Sequence, residues 1–200
     1  MATIENKIYN FWEWFRSNNG LLLPKVITNN LIDKLNEKIL DIEDFAWEIR
    51  EGLVKDNMLI ISAGSNKDLF SIAKQTIRLA PNIDCWEFYY YKPAVDWNYI
   101  LSIKDERGFN STLDVKKWEY VLLKFPDNTF DIIIYAPNIL KYSNDDKHTI
   151  VDIVLEKILG EDLRYRAIIN VEIVNRFEKI HESHKTLITK LGEHLKSLLD

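Results

Sequence analysis

Apolar residues recur along this chain with two different periods, and the change between them divides the chain into elements. In residues 4–16 and 27–40 they recur every three or four positions, which is the pattern of an amphipathic helix. From Phe45 onwards apolar and polar residues alternate, which is typical of a half-buried strand. The pattern therefore predicts two N-terminal helices followed by a region that contains strands.

Residues 45–91 are predicted to fold in the order strand, turn, strand, helix, strand. The Asp56-Asn57 pair predicts the turn, and the apolar run 58–61 after it is typical of a more central strand. A helical stripe of apolar residues follows and stops before Pro81. The last strand, 85–91, carries aromatic side chains on both faces, so we expect both faces to be covered or one to meet a partner.

The same order of elements returns in residues 118–174. Trp118-Glu119 precedes the turn pair Asp127-Asn128 by nine residues, and Trp47-Glu48 precedes Asp56-Asn57 by the same nine. The two matches lie 71 residues apart, which indicates an internal duplication. We therefore expect an α+β fold of two ferredoxin-like strand-strand-helix-strand units with about six strands, flanked by N-terminal and C-terminal helices.

The remaining residues complete the predicted layout. The stretch between the two units has no sustained period and indicates an irregular joint, and the C-terminal residues carry the apolar stripe of a last helix. The predicted bounds are a single domain over 1–200, N-terminal helices within 4–40, pseudo-repeat halves 45–91 and 118–174, a joint at 92–117 and a C-terminal helix at 183–199.

Charge and composition narrow the possible partners. The chain has 200 residues and a formal net charge of -5, with 26 Lys and Arg against 31 Asp and Glu. This balance disfavours a nucleic-acid partner, because phosphate neutralisation needs clustered basic residues. No stretch of about 18 uncharged apolar residues is present to span a membrane, and the N-terminus lacks the pattern of a secretory signal. We therefore expect a cytoplasmic protein with no membrane partner.

Two histidines form the one pair at metal-ligand spacing. His181 and His184 lie three residues apart, and a helix would place both rings on one face. The polar first turn of a helix explains the same pattern without a metal. Because the chain has one cysteine, Cys85, no cysteine-based metal site can form. We expect no cofactor and no metal, with His181 and His184 as the candidate ligands if a metal does bind.

Aromatic residues are concentrated around the end of the first unit and the start of the second. Trp and Tyr are common at protein interfaces, because they bury a large area and keep a polar group available. Packing in the core explains the same residues without a partner. The candidate binding residues are Trp86, Glu87, Tyr89, Tyr91, Lys92, Trp97 and Trp118.

Four sequence strings carry a resemblance to other proteins. They are FWEWF at 11–15, WEFYYYKPAVDW at 86–97, WEYVLLKFPDNTFDI at 118–132 and LGEDLR at 159–164. Together they resemble an uncharacterised bacterial α+β domain family. The resemblance implies an α+β fold and a bacterial source, and it brings no assigned activity.

The sequence leaves two functional hypotheses open. No nucleophile-elbow, zinc-protease, P-loop or dinucleotide-binding pattern occurs, so we predict no catalytic residues. The first hypothesis is a non-enzymatic, cytoplasmic protein-interaction or regulatory module of the inhibitor or immunity type, with a protein partner or a homo-oligomer. The alternative is an enzyme or small-molecule-binding protein with a pocket at the seam between the two predicted units.

Overall fold

The computed structural model describes residues 2–64, 66–104 and 110–199, and the chain divides into two compact units, 1–92 and 93–200. The predicted α+β class is confirmed. Within the described residues there are six α-helices and nine strands in three small sheets, with helices at both ends. None of the helices in these ranges is long and apolar enough to cross a membrane.

The first unit has three helices and one three-stranded sheet. Strand β2 is central, with β1 antiparallel on one side and β3 parallel on the other. The Thr3 hydroxyl accepts a hydrogen bond from the Asn6 N–H at 3.3 Å and so caps the first helix. The elements are α1 (Ile4–Asn18), α2 (Asn29–Ile42), β1 (Ala46–Glu51), β2 (Asn57–Ser62), α3 (Lys67–Arg78) and β3 (Trp86–Tyr89).

The core of the first unit lies between this sheet and its helices. Aromatic rings from α1 meet the aromatic residues of β3, and Phe15 packs edge-on against Trp86 with ring centres 5.0 Å apart. All six positions of β2 are buried, which agrees with its continuous apolar run. The stripe that predicted α1 is the face that enters the core, at Ile8, Phe11, Trp12 and Phe15.

The second unit contains a two-stranded and a four-stranded sheet. The larger sheet has the strand order β8-β7-β6-β9, in which β8 runs parallel to β7 and the other pairs are antiparallel. The elements are β4 (Ile100–Lys104), β5 (Asn110–Asp114), β6 (Glu119–Lys124), β7 (Phe130–Tyr135), α4 (Asn144–Leu159), α5 (Glu161–Ala167), β8 (Ile168–Val174), β9 (Thr186–Leu187) and α6 (Leu191–Leu199).

The core of the second unit lies on one face of the larger sheet. Tyr120, Ile132 and Ile134 point from the strands toward buried residues of α4 and α6. Trp118 lies at the margin of this core, and its indole N–H donates to the Asn138 side-chain oxygen at 2.6 Å. The opposite face carries a smaller cluster in which Phe177 packs over the sheet.

Several predicted bounds are corrected by the structure. Part of the joint at 92–117 is a regular antiparallel hairpin, β4 and β5, and its residues 105–109 lie outside the described ranges. The C-terminal helix begins at Leu191, because 186–187 form β9 and 188–190 a short 3-10 helix. Strands β4, β5 and β9 bring the described total above the expected six. The joint and β9 were missed because pairing with a distant strand, and not local period, makes them regular.

The ferredoxin-like duplication is not confirmed. Trp47 lies inside β1, paired with Ile61, whereas Trp118 precedes β6. Asn57 is the first residue of β2, whereas Asn128 lies in the turn with a φ of 61°. The Trp-Glu and Asp-Asn matches therefore occupy different positions. In both units the third strand also lies directly beside the second, without the intervening strand of a split βαβ motif.

Candidate interaction site

Strand β8 forms one edge of the four-stranded sheet. It pairs with β7, and no other strand of the described residues pairs with it. Its sequence, IINVEIV, is dominated by β-branched residues, which favour an extended backbone. Edge strands in native proteins are commonly protected by lysine, proline or very short length. With seven residues and neither lysine nor proline, β8 has none of these three protections.

The free edge is regular over its last five residues. Phe130 pairs with Ile168 and Asp131 with Asn170, so Ile169 is the extra residue of a β-bulge. The Ile169 side chain is 64% exposed. From Asn170 to Val174 the pairing with β7 has no further irregularity. In a parallel ladder alternate residues direct their N–H and C=O groups to the neighbouring strand, so the remaining residues present theirs at the free edge.

A groove flanks β8 on each face of the sheet. The helix-side groove, about 480 Å³, lies between β8 and the first turns of α4, and its walls include Asn144 and His148. The loop-side groove, about 1000 Å³, lies over Leu123 and Ile133 on the opposite face. Both grooves are lined by Leu140, Lys147, Glu172 and Ile173. They therefore meet at the exposed edge of β8.

The loop-side groove is shaped by the segment that follows β8. After Val174 the chain turns back across the sheet, and Phe177 covers Val121 and Ile133. The Phe177 ring lies 6.1 Å from the ring of Tyr135, centre to centre. Residues 175–179 then form one wall of the groove. Phe177 therefore covers one part of this sheet face while the part near Leu123 stays accessible.

Cationic side chains outnumber carboxylates along the two grooves. Lys147, Arg176 and Lys179 line them together with Glu172 and Glu178. None of these five has an ion-pair partner among the described residues, and the Lys147 ammonium contacts only the Asn144 side-chain oxygen, at 3.3 Å. The grooves therefore carry a local excess of positive charge on a chain whose net charge is -5.

The residues predicted to bind a partner do not form one surface. Trp86 and Trp118 are each 1% exposed and belong to the cores of different units. Neither indole can contact a partner while its unit is folded. The interface interpretation of these two tryptophans is replaced by packing, because a large aromatic side chain at the end of a buried strand contributes more area to the core than any neighbour.

Glu87 has a structural role in the first unit. Its carboxylate accepts hydrogen bonds from the backbone N–H groups of Leu53 and Val54, the latter at 3.2 Å. Gly52 makes this contact possible, since a Cβ there would lie 2.7 Å from the Glu87 Oε1 and would also collide with the Lys55 carbonyl oxygen. Glu87 therefore holds the loop between β1 and β2 against β3.

Three predicted residues lie together at the end of β3. Tyr89, Tyr91 and Lys92 are half-buried, and the rings of Tyr89 and Tyr91 are 6.2 Å apart, centre to centre. Burial, and then the neighbouring Glu87 carboxylate, raise the pKa of the Tyr89 phenol. Trp97 lies in the second unit, stacked 5.1 Å from Tyr99.

The histidine pair does not form a helical metal motif. Residues 179–184 form turns, in which the His184 N–H donates to the His181 carbonyl at 3.0 Å. The helical face that would align the two rings is therefore missing at these positions. Across the described ranges, no group of three or more His, Cys, Asp or Glu side chains is arranged to hold a metal ion.

Two other polar clusters tie elements of the second unit together. Arg164 is buried, and its guanidinium donates to Asp152 at 2.6 Å and to the Ile168 carbonyl at 3.0 Å. The Tyr120 hydroxyl lies 2.7 Å from the His194 Nδ1, and burial raises the pKa of Tyr120 to about 12. Both clusters connect the sheet to its helices.

The sequence contained one signal for the β8 edge that the initial reading did not use. Residues 168–174 are the last predicted strand of their unit and contain neither lysine nor proline, although such residues protect edges. The two grooves had no such signal, because they depend on how α4 and residues 175–179 pack around β8.

The geometry defines an α+β chain with an open sheet edge between two grooves. No protein-family model, curated protein or solved structure that was compared with the chain matches it.

Proposed function

We propose that this chain is a non-enzymatic protein-interaction module, regulatory or inhibitory in type, which binds an extended segment of a partner protein beside β8. The observation that carries the proposal is the regular free edge at 170–174 with a groove on each face of its sheet. Added strands bind in this way elsewhere: main-chain hydrogen bonds give affinity, and pockets for alternate side chains give specificity.

The two grooves have the arrangement that an added strand requires. Successive side chains of a strand point to opposite faces of its sheet. A segment paired with β8 would therefore place alternate side chains in the helix-side and loop-side grooves. Five residues of edge extend about 16 Å, which is enough to seat two or three side chains on each face.

Main-chain pairing alone would not hold the segment. A hydrogen bond contributes a net 0.5–1.5 kcal/mol or so, and ordering one backbone residue costs about 1–2 kcal/mol. These two quantities nearly cancel, so the grooves must supply most of the net affinity. Apolar residues in both grooves, including Leu123, Leu140 and Ile173, provide area that an incoming side chain can bury.

A non-enzymatic role agrees with the use of the buried polar side chains in the second unit. Arg164 is engaged by Asp152 and by a main-chain carbonyl, and Tyr120 is engaged by His194. Each of these groups joins one secondary-structure element to another. Their hydrogen bonds hold the sheet and helices in place and do not converge on either groove.

Internal duplication belongs to the same proposal, with a register that differs from the sequence match. Both antiparallel hairpins have strands of six residues joined by five. Ala46 and Glu119, which begin β1 and β6, are 73 residues apart, as are Asn57 and Phe130, which begin β2 and β7. In each unit a helix and a third, parallel strand follow. We expect detectable relatives to retain this spacing if the halves share an origin.

Selection of binding peptides tests the interaction proposal. Random heptapeptides displayed on phage are selected on the intact chain, and the winners are measured against four variants. Ile169→Lys and Ile169→Glu place a charge at the edge, while Leu187→Lys and Leu187→Glu are matched controls on β9, the opposite edge of the same sheet.

The expected outcome is that both Ile169 variants weaken binding at least tenfold and the Leu187 variants change it less than twofold, since a charge beside an incoming strand must lose water. Equal effects at the two edges, or a selection that yields no binding peptide, would contradict the proposal.

A further inference from the structure

We propose that the segment bound at β8 is acidic, with carboxylate and β-branched apolar side chains in alternation. This inference rests on the proposed function and adds the chemistry of the partner. Its basis is the charge along the grooves: three cations without ion-pair partners in the described part of the chain, against two carboxylates. An acidic segment would give Lys147, Arg176 and Lys179 the partners that the chain itself does not provide.

Lys147 occupies the central position in this arrangement. It lines both grooves and therefore lies close to whichever face of an added strand carries the carboxylates. The Asn144 side-chain oxygen at 3.3 Å is its one hydrogen-bond partner among the described residues, so the ammonium retains donors for a ligand. Arg176 and Lys179 extend the positive charge along the loop-side groove.

The apolar part of the segment follows from the groove floors. Leu123 and Ile133 form the floor of the loop-side groove, and Leu140, Val171 and Ile173 line the helix-side groove. Branched apolar side chains fit such surfaces and also favour the extended backbone that pairing with β8 requires. A segment with carboxylates alone would leave these floors in contact with water.

A second copy of the chain is the competing occupant of this edge. If two β8 strands paired antiparallel about Val171, Asn170 would lie opposite Glu172 of the other copy, and no like charges would be opposed across the ladder. The symmetric pair would, however, bring a second set of the same three cations to the interface. An acidic segment relieves this excess charge, and a second copy doubles it.

Two alternating heptapeptides test the inference by fluorescence anisotropy. One probe is fluorescein-labelled Val-Glu-Val-Glu-Val-Glu-Val and the other replaces each Glu with Lys. We expect the Glu probe to bind at least tenfold more tightly and to weaken as salt rises from 50 to 300 mM. Lys147→Glu should weaken the Glu probe at least fivefold and strengthen the Lys probe. Lys190→Glu, with the same charge change on an exposed side chain outside both grooves, should alter either affinity less than twofold.

A second pair of probes reports the binding mode separately from the charge. The Glu probe is N-methylated either at its Val residues or at its Glu residues. Pairing with β8 uses alternate amides, so one methylation pattern should abolish binding and the other should preserve it.

The results separate this inference from the function on which it rests. Equal affinity of the Glu and Lys probes, with the methylation asymmetry intact, would overturn the acidic partner and leave strand addition standing. Failure of both probes to bind, or equal effects of both methylation patterns, would overturn strand addition itself. A wild-type dimer by sedimentation that Ile169→Lys converts to monomer would assign the edge to a second copy and so overturn the inference.

Discussion

Strands β3 and β8 occupy the same place in their units, yet their edges differ. Each follows an antiparallel hairpin and a helical segment, and each pairs in parallel with the second strand of its hairpin. Strand β3 has four residues, and its Trp86 and Glu87 are engaged by the core and by a loop. Strand β8 has seven residues, an Ile169 side chain that is mostly exposed, and a groove on each face.

The comparison teaches that topology alone does not make an edge available. The order of strands is the same in both units, and the difference lies in strand length and in the side chains at the strand. A short strand whose side chains are already bound offers little backbone for pairing. A long strand of β-branched residues with empty grooves beside it offers both backbone and side-chain sites.

The largest expected effects concern the two buried tryptophans. Trp86→Ala and Trp118→Ala should each lower the free energy of unfolding by about 3–5 kcal/mol, because both create large cavities. The phenylalanine variants should differ: Trp118→Phe leaves the Asn138 side-chain oxygen without its donor and costs about 1–2 kcal/mol more than Trp86→Phe. The Trp86 indole N–H has no hydrogen-bond partner among the described residues. Urea unfolding measures all four, and a Trp86→Phe loss equal to that of Trp118→Phe would contradict this account.

The next effect is a loss of stability at alkaline pH. Tyr120 is fully buried, and its pKa is raised from 10.0 to about 12, so the unfolded chain loses this proton at lower pH than the folded chain. Stability should therefore be complete below pH 10 and fall as the pH rises from 10 toward 12, by at most about 3 kcal/mol at 1.36 kcal/mol per pKa unit. Urea unfolding at pH 9 and pH 11 measures the decrease. Tyr120→Phe should reduce it, and an unchanged decrease in that variant would show that other groups cause it.

A smaller effect is expected at the start of β8. Arg164→Met leaves the Ile168 carbonyl and the Asp152 carboxylate without their donor, and should cost about 2 kcal/mol because Asp152 is partly exposed and can be rehydrated. Arg166→Met removes a solvent-exposed pair with Asp162 at 3.6 Å and should cost less than about 0.5 kcal/mol. Thermal unfolding of both variants checks the ranking. Equal losses would mean that the Arg164 network does not anchor the strand.

The smallest effect concerns the bound edge of β3. Glu87→Ala removes the acceptor for the Leu53 and Val54 N–H groups and should cost about 1 kcal/mol, since both amides can be hydrated in the exposed loop. Hydrogen exchange at these two amides should become faster, and Glu87→Gln should show an intermediate rate. Unchanged exchange in the alanine variant would remove the proposed role of Glu87.

Local sequence patterns predicted the elements better than the way they pair. The stripes at 4–16 and 27–40 correspond to α1 and α2, and the last strand of the second unit begins within one residue of its predicted start. These elements are set by periods of about 3.6 or 2 that a single stretch displays. The hairpin β4–β5 and the two-residue β9 show no such period, because pairing with other strands makes them regular.

The candidate site was less predictable than the fold. The aromatic residues Trp86 and Trp118 drew attention because interfaces favour tryptophan, but cores favour it for the same reason, which is the large area it buries. The grooves at β8 require α4 on one face and Phe177 on the other to stand at a certain distance from the strand. Such distances arise from tertiary packing, which the period of the sequence does not report.

Hydrogen exchange along 170–174 tests the open edge most directly. Exchange rates of individual backbone amides are measured by NMR on the free chain and on the chain with a selected heptapeptide bound. The account predicts alternation in the free chain: amides bonded to β7 exchange slowly, those between them exchange rapidly, and the peptide slows the rapid set. Slow exchange at all five positions in the free chain, or a rapid set that the peptide does not slow, would contradict it.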